Sequence, residues 1–203
     1  MSARLPIAVL ISGNGSNLQA LIDKSLSGDM QADISLVISN KADAFGLERA
    51  RRAGVATEVL LAGDYDSREA YDEALALRLA ANGVHLIVLS GFMRILSAPF
   101  VQRFSGKILN IHPSLLPKYP GLHTFQRALD AGDTEHGTTV HYVDETLDGG
   151  PIIKQSRIPI LADDTIETLK ERTQQAEYDL YWRVIDEIAR KTIEKRSSGT
   201  KRR

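Results

Sequence analysis

The sequence contains no cysteine, one tryptophan and only 6% aromatic residues. Without a thiol it can form no disulfide, build no thiolate metal site and offer no cysteine nucleophile, which suits a reducing cytoplasm. It also lacks an excess of either charge. Lys plus Arg number 25 against 26 for Asp plus Glu, a net of −1, which gives neither the basic surplus of a nucleic-acid binder nor the acid block of a disordered tail. Long apolar runs are missing too. Leu5 to Ile11 is cut short by Ser12-Gly13-Asn14-Gly15-Ser16, too few residues to span a bilayer and without the small-residue cleavage pattern of a signal peptide. The Gly-x-Ser-x-Gly elbow of serine hydrolases, the Walker pattern and internal repeats are equally absent. No metal site is expected.

What is present fits one globular domain. At roughly 150 residues per domain, 203 residues count as about one, and a 43% hydrophobic fraction is ordinary for a chain with a packed core. The charge is unevenly spread. At the C-terminus Lys191, Lys195, Arg196, Lys201, Arg202 and Arg203 stand against Glu194 alone, so the body is mildly acidic and the tail basic.

Apolar runs of strand length alternate with stretches of helical period, the pattern of a mostly parallel sheet covered by helices on both faces. Strands are expected at Leu5 to Ile11, Ile34 to Ile38, Val55 to Leu61, Val84 to Leu89 and Lys107 to Ile111. Helices are expected from Ser16, from Phe45 to Ala53, from Ser67 as N-cap to Ala81, and around Ala98 to Phe104. Pro113, Pro117, Pro120 and Gly121 then crowd into an ordered loop. Two further strands, Thr138 to Val143 and Pro151 to Ile160, bring the sheet to about seven. A long amphipathic helix starts near Thr165, with Ile166, Leu169, Thr173, Ala176, Leu180, Val184 and Ile188 on one face. From Lys195 the period is lost and Ser197-Ser198-Gly199 predicts a disordered basic tail, 195–203. The domain is therefore 1–194, with an N-terminal part of about 1–105 and a second part of about 106–194.

Three constellations could carry chemistry. Ser12 to Leu18 lies between a strand and a helix, where free backbone N–H groups and glycines make an anion site without a charged side chain. A tight turn in which Ser16 or Asn17 caps the helix explains the same residues equally well. Asn110-Ile111-His112-Pro113 ends the fifth strand. Residues two apart in an extended segment point the same way, so an amide and an imidazole can converge there, at the sheet edge where ligands of α/β proteins bind. Taken alone, an Asn-x-His ahead of a proline is as consistent with turn chemistry as with catalysis. Asp148, locked by Gly149-Gly150-Pro151, can return to the same rim, and a carboxylate beside an imidazole orients it and favours its protonated form. Asn, His and Asp without a Ser or Cys nucleophile suit acyl transfer to an amine of the substrate. The amide would hold the oxyanion and the imidazole would move protons.

With those residues in place, the chain resembles the glycinamide ribonucleotide formyltransferases of the folate-dependent formyltransferase superfamily. The likeness runs from about residue 7 to 185 and is densest in ISGNGSNL (Ile11 to Leu18), SGFMRIL (Ser90 to Leu96), LNIHPSLLPKYPG (Leu109 to Gly121), HGTTVH (His136 to His141) and LDGGP (Leu147 to Pro151). The resemblance implies a Rossmann-like fold and transfer of a formyl group from 10-formyltetrahydrofolate to the amine of 5-phosphoribosylglycinamide in purine synthesis. No tightly bound cofactor and no metal are implied, and the folate is a co-substrate. Position by position it makes Asn110, His112 and Asp148 catalytic. Gly15, Ser16, Asn17 and Glu177 become contacts to the phosphate and ribonucleotide. Arg68, Met93, Arg94, Ile95, Leu96, Asn110 and Asp144, Glu145, Thr146, Leu147 and Asp148 become folate contacts. Met93, Ile95 and Leu96 would otherwise be read as core, and Lys118 and Tyr119 as solvent-facing. His136 and His141 are expected to support the site, and His85 and His123 to be structural.

The expected partners are these small molecules, with no nucleic acid or membrane, and the enzyme would be a cytoplasmic monomer or homodimer. Among related activities, the length leaves no room for the extra domain of methionyl-tRNA formyltransferase or of formyltetrahydrofolate hydrolase. An amino-sugar nucleotide N-formyltransferase shares the Asn, His and Asp but not usually this phosphate loop. A silent phosphate-binding module would not need them.

Overall fold

The short Ile-, Val- and Leu-rich runs pair into one seven-stranded sheet in the order β3-β2-β1-β4-β5-β6-β7. The structure, a computed structural model, describes residues 4–200. The strands are β1 (Leu5–Ile11), β2 (Ala32–Ser39), β3 (Thr57–Val59), β4 (Leu86–Leu89), β5 (Ile108–His112), β6 (Glu135–Tyr142) and β7 (Ile152–Pro159). The first five run parallel and the last two antiparallel. The helices are α1 (Ser16–Ser27), α2 (Phe45–Arg52), α3 (Arg68–Ala81), α4 (Ala98–Arg103), α5 (Thr124–Asp130) and α6 (Ile166–Thr200).

Alternation along β1 splits the core in two. Ile7, Val9 and Ile11 pack with Leu18, Leu21 and Ile22 of α1, Leu47 of α2 and Leu180, Tyr181, Val184 and Ile185 of α6. Ala8 and Leu10 face the other way, onto Tyr71, Leu75 and Leu79 of α3 and Phe100 of α4. A central parallel strand buried on both faces reads as a continuous apolar run, which is why β1 matches its expected limits to the residue. The chain leaves β1 towards β2 and β3, then returns on the opposite side as β4. The resulting reversal at β1 and β4 opens a crevice at their carboxyl ends.

Differences from the sequence expectation concentrate at ends and short elements. β3 is three residues long and β4 begins at Leu86, because the flanking apolar residues lie outside the paired register. β5 reaches His112, since His112 pairs with Thr139 across the antiparallel β6. The helix α5 was not foreseen: it is short, starts after His123 in a left-handed conformation and has no side-chain cap. Irregular chain was expected from Lys195, but α6 continues through Thr200. Arg196 there donates to His85 at 2.7 Å, and the hydroxyls of Ser197 and Ser198 bond back to the Ile193 and Lys195 carbonyls. The rest of the expected tail lies outside the described residues. Among those described, no helix is long and apolar enough to cross a membrane.

Candidate active site

The carboxyl end of β5 carries Asn110 and His112 on one face, and the loop after β6 brings Asp148 back to them. Asp148 Oδ2 stands 3.3 Å from His112 Nδ1 and accepts the Gly121 N–H at 2.8 Å, while Oδ1 is 3.4 Å from Asn110 Nδ2. Asp148 has φ 51, a left-handed conformation that Asp tolerates better than most residues. The glycines behind it have no alternative at one position: a Cβ on Gly150 would lie 2.0 Å from the Tyr142 carbonyl oxygen.

His112 Nε2 donates to the Tyr119 carbonyl at 2.8 Å. Both ring nitrogens therefore face acceptors, an arrangement satisfied when both carry protons. His141, paired opposite Asn110 in the β5–β6 ladder, has the reverse setting. Burial pulls its pKa down, against the opposing effects of its bond to the Tyr142 carbonyl and of the Asp148 charge. Its Nδ1 donates to that carbonyl at 2.8 Å, so the neutral ring offers the Nε2 lone pair to Asn110 Nδ2 at 3.2 Å. His141 thus holds the Asn110 amide in place. His136 is also buried, with its pKa lowered chiefly for that reason, and it bonds the Pro113 backbone next to the site.

The loop from Pro113 to Gly121 has no regular structure, yet side chains tie it down. The Ser114 hydroxyl donates to the Lys118 carbonyl, the Leu116 N–H donates to Thr139 Oγ1, and Gln155 Nε2 donates to the Leu116 carbonyl. Tyr119 does not simply face solvent. Its φ is 56, its hydroxyl donates to Asp133 and its carbonyl fixes His112. Sequence reasoning missed it because the contact is made by backbone, which leaves no side-chain signature.

On one side of β5 lies a cleft of about 350 Å³ at the β1/β4 reversal, lined by Ser12 to Asn17, Ser90, Gly91, Met93, Ile111 and Pro113, and by Lys170, Gln174 and Glu177 of α6. The N-cap of α1 is Gly15, at φ 72, and no side chain caps the helix. The capping alternative for Ser16 and Asn17 is therefore not realised, and the first N–H groups of α1 are left free to bind an anion. Gly46 of α2 presses against this loop and donates its N–H to the Gly13 carbonyl, while Arg49 donates to both oxygens of Asn14. Glu177 accepts from Asn17 Nδ2 at 2.8 Å, and burial pushes its pKa up to about 7 despite that bond. Lys170 and Gln174 were missed, although they sit at helical spacing before Glu177 and share its face.

On the other side, Arg94, Ile95, Leu96, Asn110 and Asp144 to Asp148 line a smaller cleft of about 130 Å³ together with Leu89, Phe92, Val101 and Val143. Two predicted segments are thereby brought together. The core alternative holds for Leu96, which is buried, but Met93 and Ile95 are exposed at 67% and 63%, at the mouth. Met93 lines the larger cleft instead. Arg68 lines neither cleft and stands half-exposed 3.9 Å from Glu69. Among the described residues no cluster of His, Cys, Asp or Glu could hold a metal ion.

Residues 5–185 match the family model for formyl transferases. The chain is 54% identical over 183 residues to phosphoribosylglycinamide formyltransferase of Escherichia coli, covering 90% of this chain and 86% of that protein. It is 46% identical over 193 residues to the human trifunctional purine biosynthetic protein adenosine-3, spanning 95% of this chain but 19% of the larger protein. Among solved structures it is similar to glycinamide ribonucleotide transformylase 1 from Symbiobacterium toebii, with TM-score 0.90, 46% identity and coverage of 94% and 90% of the two chains.

Proposed function

The chain belongs to the formyl transferase family, and from that premise we infer that it transfers a formyl group from 10-formyltetrahydrofolate to the amine of 5-phosphoribosylglycinamide in purine biosynthesis. The observation that carries this reading is that two clefts of different chemistry adjoin along Asn110 and Ile111 of β5. One is built for an anion: uncapped helix N–H groups, Lys170 and the hydrogen-bonding side chains of α6. The other has apolar walls at Leu89, Phe92, Leu96 and Val101, suited to the planar head of a folate, with Ile95 and Leu147 exposed at its rim. Two substrates laid in them meet along Asn110 and Ile111, beside the buried His112.

In the transfer, the substrate amine adds to the formyl carbon and the carbonyl electrons move to oxygen. The bond from carbon to the folate nitrogen then breaks as that nitrogen takes a proton and the amine loses one. Asn110 Nδ2, held by His141, is placed to donate to the oxyanion with the hydrogen that makes the long 3.4 Å contact to Asp148 in the free protein. His112 supplies the proton to the leaving nitrogen, and Asp148 holds the ring and balances its charge. For this to happen the Nε2 proton must pass from its bond with the Tyr119 carbonyl to the leaving nitrogen. Gly15, Ser16 and Asn17 with Lys170 take the phosphate, and Glu177 and Gln174 take the sugar side. Arg68 lines neither cleft, and its assignment to the folate rests on the family resemblance alone. The enzyme acts in the cytoplasm as a monomer or homodimer, without nucleic acid or membrane.

The test is to follow deformylated folate by absorbance after mixing the protein with a 10-formylfolate and phosphoribosylglycinamide. Release that requires the ribonucleotide is expected. Release at the same rate without it would instead make the protein a hydrolase.

A further inference from the structure

Ser90 follows β4 and carries a side chain that nothing else in the fold uses. In the parallel register Leu89 lies beside Asn110 and shares its face, so both line the folate-side cleft. The pleat sends Ser90 to the opposite face, with Ile111, and both line the ribonucleotide-side cleft. Ser90 is 5% exposed, and its backbone is pinned by an N–H bond to the Leu10 carbonyl at 2.9 Å. Its Oγ is buried and finds no hydrogen-bond partner. A buried hydroxyl without a partner forfeits the hydrogen bonds it makes in water. The neighbouring Ser12 shows the usual solution, donating to Asn40 Oδ1 at 2.6 Å and accepting from the Met93 N–H at 2.7 Å. Among the described residues lining this cleft, the other unpartnered atom is Asn17 Oδ1, at the phosphate end.

The cleft has direction. Its outer end holds the α1 N-terminus and Lys170, while its inner end is made by Ser90, Gly91, Ile111 and Pro113, next to the catalytic Asn110 and His112. A substrate with its phosphate outside and its reacting amine inside lays the group that joins ribose to amine along the inner end. In a glycinamide ribonucleotide that group is a carboxamide. We propose that Ser90 is a specificity-determining residue for the amine substrate, its hydroxyl donating a hydrogen bond to the carboxamide oxygen of the glycinamide arm. The proposal rests on the formyltransferase reading above. It makes the site favour phosphoribosyl amines that carry a carbonyl at this place over those that do not, because only the former satisfy the buried hydroxyl.

Ser90→Ala tests it, with two substrates: phosphoribosylglycinamide and an analogue whose carboxamide carbonyl is replaced by a methylene. A hydrogen bond worth about 1 kcal/mol corresponds to roughly fivefold in binding. The variant is expected to raise KM for phosphoribosylglycinamide by about that factor, with kcat and the KM for 10-formyltetrahydrofolate unchanged. With the analogue, wild type and variant are expected to perform alike. In wild type alone the analogue should already be poorer by a similar factor, a measurement that does not depend on the variant's folding. Equal KM values for phosphoribosylglycinamide in wild type and variant, or an equal loss with both amines, would overturn the proposal while leaving the formyltransferase reading intact. Absence of transfer by the wild type would overturn both.

Discussion

Asp148 gathers the Gly121 N–H, the Asn110 amide and the His112 ring around one carboxylate, and it reaches them from a loop after β6 while Asn110 and His112 stand together at the end of β5. Asp148→Asn keeps the shape but removes the carboxylate charge that faces His112 Nδ1 at 3.3 Å. We expect a loss of about 100-fold or more in kcat, with the melting temperature little changed, from steady-state assay and thermal unfolding of the same preparation. Wild-type turnover would reduce Asp148 to a turn residue. Glu177 makes a prediction of a different kind. Burial raises its pKa to about 7 from an ordinary 4.5, so the folded protein holds a proton that the unfolded chain releases first. Stability from this group is therefore full below about pH 4.5 and is lost as pH rises towards 7 and beyond, in all by about 3 kcal/mol at most. Glu177→Gln should abolish that decline, raising the urea midpoint at pH 8 relative to wild type and leaving it nearly unchanged at pH 4. An equal shift at both values would show that burial of the charge is not its cause. Asn110, His112 and Asp148 stood out in the sequence as polar side chains beside prolines and glycines at the ends of apolar runs, and the structure brings the three together. Ser90, Lys170 and Gln174 did not, since Ser, Lys and Gln occur on any surface and only the fold shows that these line a cleft.

The glycine loop shows what an element can and cannot reveal in sequence. ISGNGSNL announces a strand, a turn and a helix, but whether the helix is capped by a side chain or left open was undetermined until Gly15 was found at the N-cap. There a Cβ would stand 2.7 Å from the Gly46 backbone, whereas a Cβ on Gly13 would meet nothing within 4 Å. Gly15→Ala is expected to cost about 1–3 kcal/mol through left-handed strain and the clash, and to raise KM for the ribonucleotide more than for the folate. Gly13→Ala should cost within about 1 kcal/mol. Denaturant unfolding of the pair decides the point, and equal costs would refute the packing argument. Helix α5 and the extension of α6 were illegible for a related reason. α5 has neither a side-chain cap nor a full amphipathic repeat, and the last turns of α6 draw on contacts such as Arg196 with His85, 111 residues apart in sequence.

Across the whole molecule, the division near residue 105 does not divide the structure. β4 and β5 pair directly across it, and the Tyr181 hydroxyl of α6 reaches the Leu89 carbonyl at 2.8 Å and the Leu109 carbonyl at 3.2 Å. We expect one cooperative thermal transition, with calorimetric and van't Hoff enthalpies in agreement; two resolved transitions would mean that the halves fold separately. The sequence by itself determined the strand order of appearance, the mostly parallel class and the polar residues proposed for the chemical centre. Those are local facts, written as runs of apolar residues, glycines at forced conformations and polar residues where packing has no use for them. Only the tertiary structure decided that two clefts meet at β5, that His112 faces a backbone carbonyl, that α6 brings Lys170, Gln174 and Glu177 to the glycine loop after β1 and that Ser90 has a buried hydroxyl with no partner. Each of these depends on a distance between segments far apart in the chain, set by sheet register and helix docking rather than by any local pattern.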